Sequence, residues 1–285
     1  MSNEKYLILG SNGQLGKQFT VELTARNERV ISPDEKECDI TNFDSLARCI
    51  EEIAPTVILN CAAYNAVETA EEQPEIARLV NGKAVDHIAS LAKLHRIFLV
   101  HYSTDYVFDG KKGDLYTEAD RPNPLNIYGK SKLEGEEAVL RHGGSFLLFR
   151  TSWVFGNGPQ NFIHKFLQWS RKTRIIKLSA DEVSVPTSTA DLVGLTLDSI
   201  GRGLTGLFHL TNSGYASRYE VGKLVAETLS LENLLIPVPM NSFASSVPRP
   251  AFTAMSNARL RQHLGKPIRE WRSAVEQFLK EYPPA

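Results

Sequence analysis

The sequence predicts an α/β protein: a doubly wound parallel sheet with a smaller C-terminal substrate-binding lobe. Three observations carry this. Short apolar runs alternate with helix-spaced stretches up to about residue 155. The runs are apolar throughout rather than on one side, which suits strands covered by helices on both faces. A glycine-rich turn joins the first run to the first helical stretch.

The elements follow in order. "KYLILG" reads as a buried strand, and "KQFTVELTAR" as a helix with Phe19 and Leu23 on one face. "RVIS" is a second strand, and "DSLARCIEEIAP" a helix that Pro55 ends. "TVILNCAA" is a continuous apolar strand. "EEQPEIARLVNGKAVDHIASLAKLH" is one long helical stretch, and "RIFLVHYST" the strand after it. A helix from about Pro124 to Arg141 leads into the strand "SFLLFRTSWVF". "STADLVGLTLDSIGRG" is helical and "GLFHLTN" a strand. Segments rich in Pro, Ser and Asn then intervene: "NGPQNF", "ADEVSVPTST" and "PVPMNSFASSVPRPAFTAM". Residues 1–154 with about 185–212 therefore form the main domain, and about 155–184 with 213–285 the smaller lobe.

With 285 residues the chain suits one main domain plus an appendage. The net charge of −1 and the lack of a dense Lys/Arg run argue against nucleic acid or an anionic membrane as partner. The longest apolar runs are too short to span a bilayer, and "MSNEKYLILG" has no basic leader. Cys38, Cys49 and Cys61 are odd in number and not spaced for a metal, so free thiols in a reducing, cytoplasmic setting are expected.

"GSNGQLG" places Gly10, Gly13 and Gly16 between a strand and a helix. The first glycine permits a tight bend, the second lets the backbone approach a pyrophosphate, and the third lets helix and strand pack closely. Gln14 and Leu15 open the helix, whose N–H groups and dipole favour phosphate. This is the arrangement of a Rossmann dinucleotide-binding domain. In "CDIT", Asp39, followed by Ile40, is placed to accept from an adenine amino group; the alternative is a helix capped by Thr41, with Asp39 a solvated neighbour. In "ISPDEK", Asp34 favours a free ribose 2′-hydroxyl, whereas Ser32 and Lys36 could hold a 2′-phosphate, so both NADH and NADPH stay open.

"NIYGKSKLEGE" sets Tyr128 and Lys132 at i and i+4, on one helix face. "HYSTDYVFDG" ends a strand with Ser103, Thr104 and Asp105, where parallel sheets bind ligands. "NCAA" ends the neighbouring strand with small residues that leave room for a nicotinamide ribose. Asn81 is a polar side chain in an apolar helical pattern and asks for a partner.

Taken together, "GSNGQLG", "NCAAYNAVETAE", "HYSTDYVFDG", "YGKSKLEGE", "FRTSWVFG" and "NF" at 161–162 resemble the extended short-chain dehydrogenase/reductase family, in the branch containing dTDP-4-dehydrorhamnose reductase. The likeness is close over roughly residues 5–165, and "RPAFTAMSNARL" resembles the branch's last block. It implies NAD(P)H-dependent reduction of the C4 ketone of a nucleotide-linked 4-keto-6-deoxysugar, dTDP-4-dehydro-L-rhamnose foremost, for polysaccharide precursors. Tyr128 would give the proton, Lys132 would hold the nicotinamide ribose and lower the tyrosine pKa, and Thr104 would bond the ketone oxygen. Asn81 would support a water beside Lys132. Ala62, Ala63, Tyr64, Asn65 and Tyr102 would line the cofactor site. Asp105, Tyr106 and Trp153 would face the substrate, Trp153 packing on the sugar. A free tyrosine has a pKa of about 10, and an ammonium within ~4–6 Å favours its phenolate, so the pair makes physical sense.

Several positions depart from the branch. Its usual D-Q-x-G-x-P-T reads "ADEVSVPT" here, with Glu182 for glutamine and Ser184 for glycine. Glu68 replaces the usual aspartate and Asn65 the usual threonine, all on the expected substrate side. Relatives that bind magnesium use an acidic residue where this chain has Gln18, so no metal is expected there. A sugar-nucleotide dehydratase or epimerase is the nearest alternative, but a dehydratase typically carries Thr-Asp-Glu where this chain has Thr104-Asp105-Tyr106. A non-catalytic relative, like the regulatory subunit of methionine adenosyltransferase, is the other, though Thr104, Tyr128 and Lys132 are intact. Enzymes of this class commonly pair, so the resemblance makes a homodimer an expectation.

Overall fold

A computed structural model describes residues 4–245 and 247–281; residues 1–3, where no leader is expected, lie outside them. The chain opens with β1 (Lys5–Leu9), α1 (Gln14–Ala25), β2 (Arg29–Ile31), α2 (Phe43–Ile53) and β3 (Val57–Asn60). Helix α2 is capped by Asn42, whose side chain accepts from the Ser45 N–H at 3.1 Å. It ends at Ala54 in a left-handed conformation, ahead of Pro55.

The long helical stretch expected next is broken. It forms α3 (Val67–Glu72), α4 (Pro74–Arg78), a π-helical turn at Leu79–Lys83, and α5 (Ala84–Leu94). Pro74 starts α4 because a proline, lacking an N–H, suits a first helical turn and not an interior. The π turn holds Asn81, and such turns recur at functional sites.

Strand β4 (Phe98–Thr104) and helix α6 (Ile127–His142) come next. Helix α6 starts later than expected because Asn126 caps it, accepting from Gly129 N–H at 2.8 Å. The single strand expected at "SFLLFRTSWVF" is two, β5 (Phe146–Thr151) and β6 (Val154–Phe155), parted at Trp153 with φ of 41°. The remainder is α7 (Phe162–Ser170), β7 (Ile175–Ser179), β8 (Val183–Ser184), β9 (Thr187–Ser188), α8 (Thr189–Gly201), β10 (Gly206–His209), β11 (Ala216–Ser217), α9 (Arg218–Thr228), β12 (Leu234–Val238), α10 (Ala258–Leu264) and α11 (Trp271–Glu281).

Among the described residues, six strands form one parallel sheet in the order β10-β5-β4-β3-β1-β2. The expected doubly wound α/β fold is present. Alternate residues of β1 serve opposite faces: Tyr6 and Ile8 join Phe19, Leu23, Phe149, Leu192 and Phe208, whereas Leu7 and Leu9 join Leu46, Ile50, Val85 and Ile88. The order reverses between β1 and β3, so their carboxyl ends diverge and leave the crevice where such sheets bind ligands.

A third cluster, with Phe166, Leu178, Val225, Trp271 and Val275, forms the smaller lobe. The chain beyond residue 213 divides between the two bodies, since Leu260, Leu264 and Ile268 pack into the sheet's own cluster. No helix among the described residues is long and apolar enough to cross a membrane.

Candidate active site

The glycine turn has the geometry a dinucleotide needs. Gly10 has φ of +75°, and a Cβ there would lie 2.5 Å from the Ala62 nitrogen at the end of the adjacent strand. A Cβ on Gly16 would lie 2.4 Å from the Gly10 carbonyl oxygen. Gly13 meets only the Gly10 oxygen, at 3.3 Å, and caps α1 without a side chain. The first N–H groups of α1, with no acidic residue in that turn, thus face an open cradle that fits a pyrophosphate. Gln14 also ties the turn to β6, donating to the Val154 carbonyl at 3.2 Å, and Leu15 packs on the sheet cluster. Gly10→Ala is expected to raise the dissociation constant for NADPH at least about tenfold, because left-handed backbone and contact with Ala62 both oppose a side chain. Fluorescence titration of the bound nucleotide measures this.

Asp39 folds back on its own turn: Oδ1 accepts from Thr41 N–H at 2.8 Å and Thr41 Oγ1 at 2.7 Å. The cap of α2 is Asn42 rather than Thr41. Ile40 is buried in the core. The Asp34 carboxylate is likewise used locally, accepting from the N–H groups of Lys36 and Glu37 at 2.8 and 3.0 Å.

Beyond β3, Ala62, Ala63 and Tyr64 are partly buried and Asn65 is exposed. Asn81 clamps this strand end. Its Oδ1 accepts from Tyr64 N–H at 2.9 Å, and its Nδ2 donates to the Tyr64 carbonyl and to Ser131 Oγ, both at 3.0 Å. Its side chain is therefore turned to the loop and to α6. Tyr102 turns its ring into the core, where its hydroxyl meets Thr196 Oγ1 at 2.8 Å; only its backbone faces the site.

Tyr128, Lys132 and Thr104 converge at the carboxyl end of β4. Lys132 is 2% exposed, and its Nζ donates to the Tyr102 carbonyl at 2.6 Å. Burial lowers its pKa to about 8, with Glu136 opposing. Tyr128 donates to Asn65 Oδ1 at 3.4 Å and packs edge-on against Tyr106 at 5.7 Å. Its pKa is pushed up to about 12, chiefly by burial; a hydrogen bond with Thr104 opposes and the charge of Asp105 adds to the rise. Burial sets this direction, and the ammonium of Lys132, expected to lower the tyrosine, is turned to the Tyr102 carbonyl. Asn65, expected along the cofactor, touches the tyrosine.

Asp105 is enclosed rather than facing open space. Its Oδ2 accepts from Ser184 Oγ at 2.7 Å and from Thr253 Oγ1, and its Oδ1 from Thr104 Oγ1 at 3.1 Å. It is a buried support for Thr104, its pKa raised by desolvation against the three hydroxyls. Tyr106 accepts from Arg249 Nη1 at 3.1 Å, and Arg249 also pairs with Glu68. Trp153 stacks under Arg218, whose guanidinium carbon is 3.5 Å from the ring centroid.

Sequence reading missed Arg218, Arg249, Ser131 and Thr253. Ser131 lies within the Tyr128–Lys132 motif and Arg249 and Thr253 within the last resembling block, but their partners come from distant segments; Arg218 lies in no motif at all.

The sequence pattern of the RmlD substrate binding domain family matches residues 4–283. The chain belongs to that family. It is a member of the extended short-chain dehydrogenase/reductases, as its motifs suggested. Among relatives, it is 34% identical to a dTDP-4-dehydrorhamnose reductase of Burkholderia thailandensis, over 95% of this chain and 96% of that one. A crystal structure of dTDP-4-dehydrorhamnose reductase from Bacillus anthracis in complex with NADP superposes with a TM-score of 0.95 at 32% identity, covering 99% of this chain and 100% of that one. A Thermus thermophilus UDP-glucose 4-epimerase shares the fold of this family member at a TM-score of 0.83, 19% identity, and 99% coverage of both chains.

Proposed function

We propose that this protein reduces the C4 ketone of a nucleotide-linked 4-keto-6-deoxysugar, converting dTDP-4-dehydro-L-rhamnose to dTDP-L-rhamnose for polysaccharide precursors. The observation that carries it is the convergence of Tyr128, Thr104 and Lys132 at one strand end, beside a glycine turn shaped for a dinucleotide. The names of the relatives support the substrate. Reduced NADP or NAD, held by Gly10, Gly13, the start of α1 and Asp39, supplies the hydride when bound.

The chain's own residues do the rest. Tyr128 gives its phenolic proton to the ketone oxygen as the carbon accepts hydride. Thr104 turns its one hydroxyl proton from Asp105 to that oxygen when the ketone binds, while the Tyr106 N–H holds the threonine oxygen in place. Lys132 keeps positive charge beside the forming phenolate and binds the nicotinamide ribose. Asn81 and Ser131 hold the loop after β3 against α6 and keep the helix in register. The free thiols of Cys38, Cys49 and Cys61 support a cytoplasmic setting, where nucleotide sugars are handled.

Oxidation of NADPH on adding dTDP-4-dehydro-L-rhamnose, with dTDP-L-rhamnose as product by NMR, tests the reading; no oxidation with any 4-keto sugar nucleotide would sink it. The reading also has a pH signature. Lysine is charged below its pKa, and that of Lys132 is lowered to about 8, whereas Tyr128 stays protonated up to about 12. The value of kcat/KM for reduction should therefore be level near neutrality and fall above about pH 8. Lys132→Arg, charged throughout, should lose that alkaline limb.

A further inference from the structure

Two of the substrate-side departures meet at β8: Glu182 precedes it and Ser184 ends it, and it pairs antiparallel with β11, Ser217 lying opposite Val183 and Ala216 opposite Ser184. That register brings Glu182 abreast of Arg218, with 3.5 Å between Oε1 and Nη2. The guanidinium is immobilised by its stack on Trp153 and lies 5.0 Å from the ring of Phe162. Glu182 is 9% exposed, and its Oε2 accepts from Ser179 Oγ at 3.3 Å.

Its Oε1 is buried yet accepts no hydrogen bond among the described residues. A buried carboxylate oxygen with open lone pairs is an acceptor waiting for a donor. Geometry ties it to the site: Oε1 meets Arg218, which stacks on Trp153, and Ser184, two residues on, donates to Asp105 behind Thr104.

We propose that Glu182 is a specificity-determining residue that accepts a hydrogen bond from a ring hydroxyl of the sugar near the ketone, so that the enzyme takes 4-keto sugars retaining that hydroxyl over their deoxy counterparts. The inference rests on the ketoreductase reading above. A hydroxyl fits better than an ammonium, because Arg218 already balances this carboxylate and Arg249 adds a second positive charge by Tyr106. A carboxylate has no proton to offer a sugar carbonyl or carboxylate, which excludes acidic sugars from this wall. Arg218 acts as a positioning residue, holding Glu182 and Trp153 in one block.

The test compares kcat/KM for dTDP-4-dehydro-L-rhamnose with its 2-deoxy and 3-deoxy counterparts. The wild type should prefer the full sugar over one of them by about 10–100-fold, less than for a wholly unpaired group because Arg218 keeps its hold on Glu182. Glu182→Leu should bring that ratio towards unity, mainly through KM for the full sugar. Glu182→Gln, which keeps an acceptor oxygen, should retain most of the preference. NADPH binding by fluorescence titration verifies that each variant is folded. Should Glu182→Leu fail that check, Glu182→Asp, which withdraws the carboxylate by one methylene, should lower the ratio as well. A wild type indifferent to the missing hydroxyl, or a folded Leu or Asp variant with the wild-type ratio, overturns the proposal. A wild type that binds NADPH but reduces none of the three sugars defeats the ketoreductase reading instead.

Discussion

Tyr128→Phe lowers kcat by about 10²–10⁴-fold, the range that a positioned general acid contributes. The phenylalanine keeps the edge-on contact with Tyr106 and loses only the hydroxyl that meets Asn65 and Thr104. Binding of NADPH should therefore persist, and the loss should fall on turnover. Single-turnover rates together with nucleotide titration separate the two. Turnover close to wild type would mean that another group protonates the ketone oxygen. Burial raises the tyrosine to about 12, so in the reductive direction it enters each cycle as the neutral acid. What the site must then provide is stabilisation of the phenolate it leaves, and Lys132 is the buried cation on the same helix face.

Glu136→Ala lowers stability by about 3–5 kcal/mol, because it leaves a buried guanidinium without its partner. Arg150 on β5 donates to Glu136 on α6 through Nε at 2.9 Å and Nη2 at 2.6 Å, with side-chain exposures of 4% and 1%. The pair joins the helix that carries Tyr128 and Lys132 to the sheet beneath it. Denaturant or thermal unfolding measures the loss, and replacing both partners by apolar residues of similar volume should recover much of it. A single variant as stable as wild type would show that the pair adds nothing to holding α6. Glu136 also supports the charge of Lys132, so in Glu136→Gln the alkaline limb of the pH profile should move to lower pH.

Local readings held where a physical rule acts within a few residues. The glycine turn was legible because left-handed backbone at Gly10 and close packing at Gly16 admit no side chain. The i, i+4 spacing put Tyr128 and Lys132 on one face wherever the helix sat. Pro55 marked a helix end for the same local reason. Local reading failed where a competing cap or distant partner won. Asn126 moved the start of α6, Pro74 and the π turn broke the long helix, and Trp153 split a strand that looked continuous. Asn81 was singled out because a buried polar group needs partners; that those partners are Tyr64 and Ser131 depends on how α6 packs against the π turn.

By itself, the sequence determined the parallel α/β class, the glycine turn and the placing of Tyr128 and Lys132 on one helix face. Those follow from periodicity and short motifs, which depend on neighbours along the chain. Only the tertiary structure decided the electrostatics of the site and the packing of Glu182, Arg218 and Trp153 into one block. Burial, which sums over the whole fold, sends Tyr128 up and Lys132 down. The Glu182–Arg218 block and the cage of Ser184, Thr253 and Thr104 around Asp105 join segments far apart in sequence, through a two-residue strand pairing that no local pattern encodes.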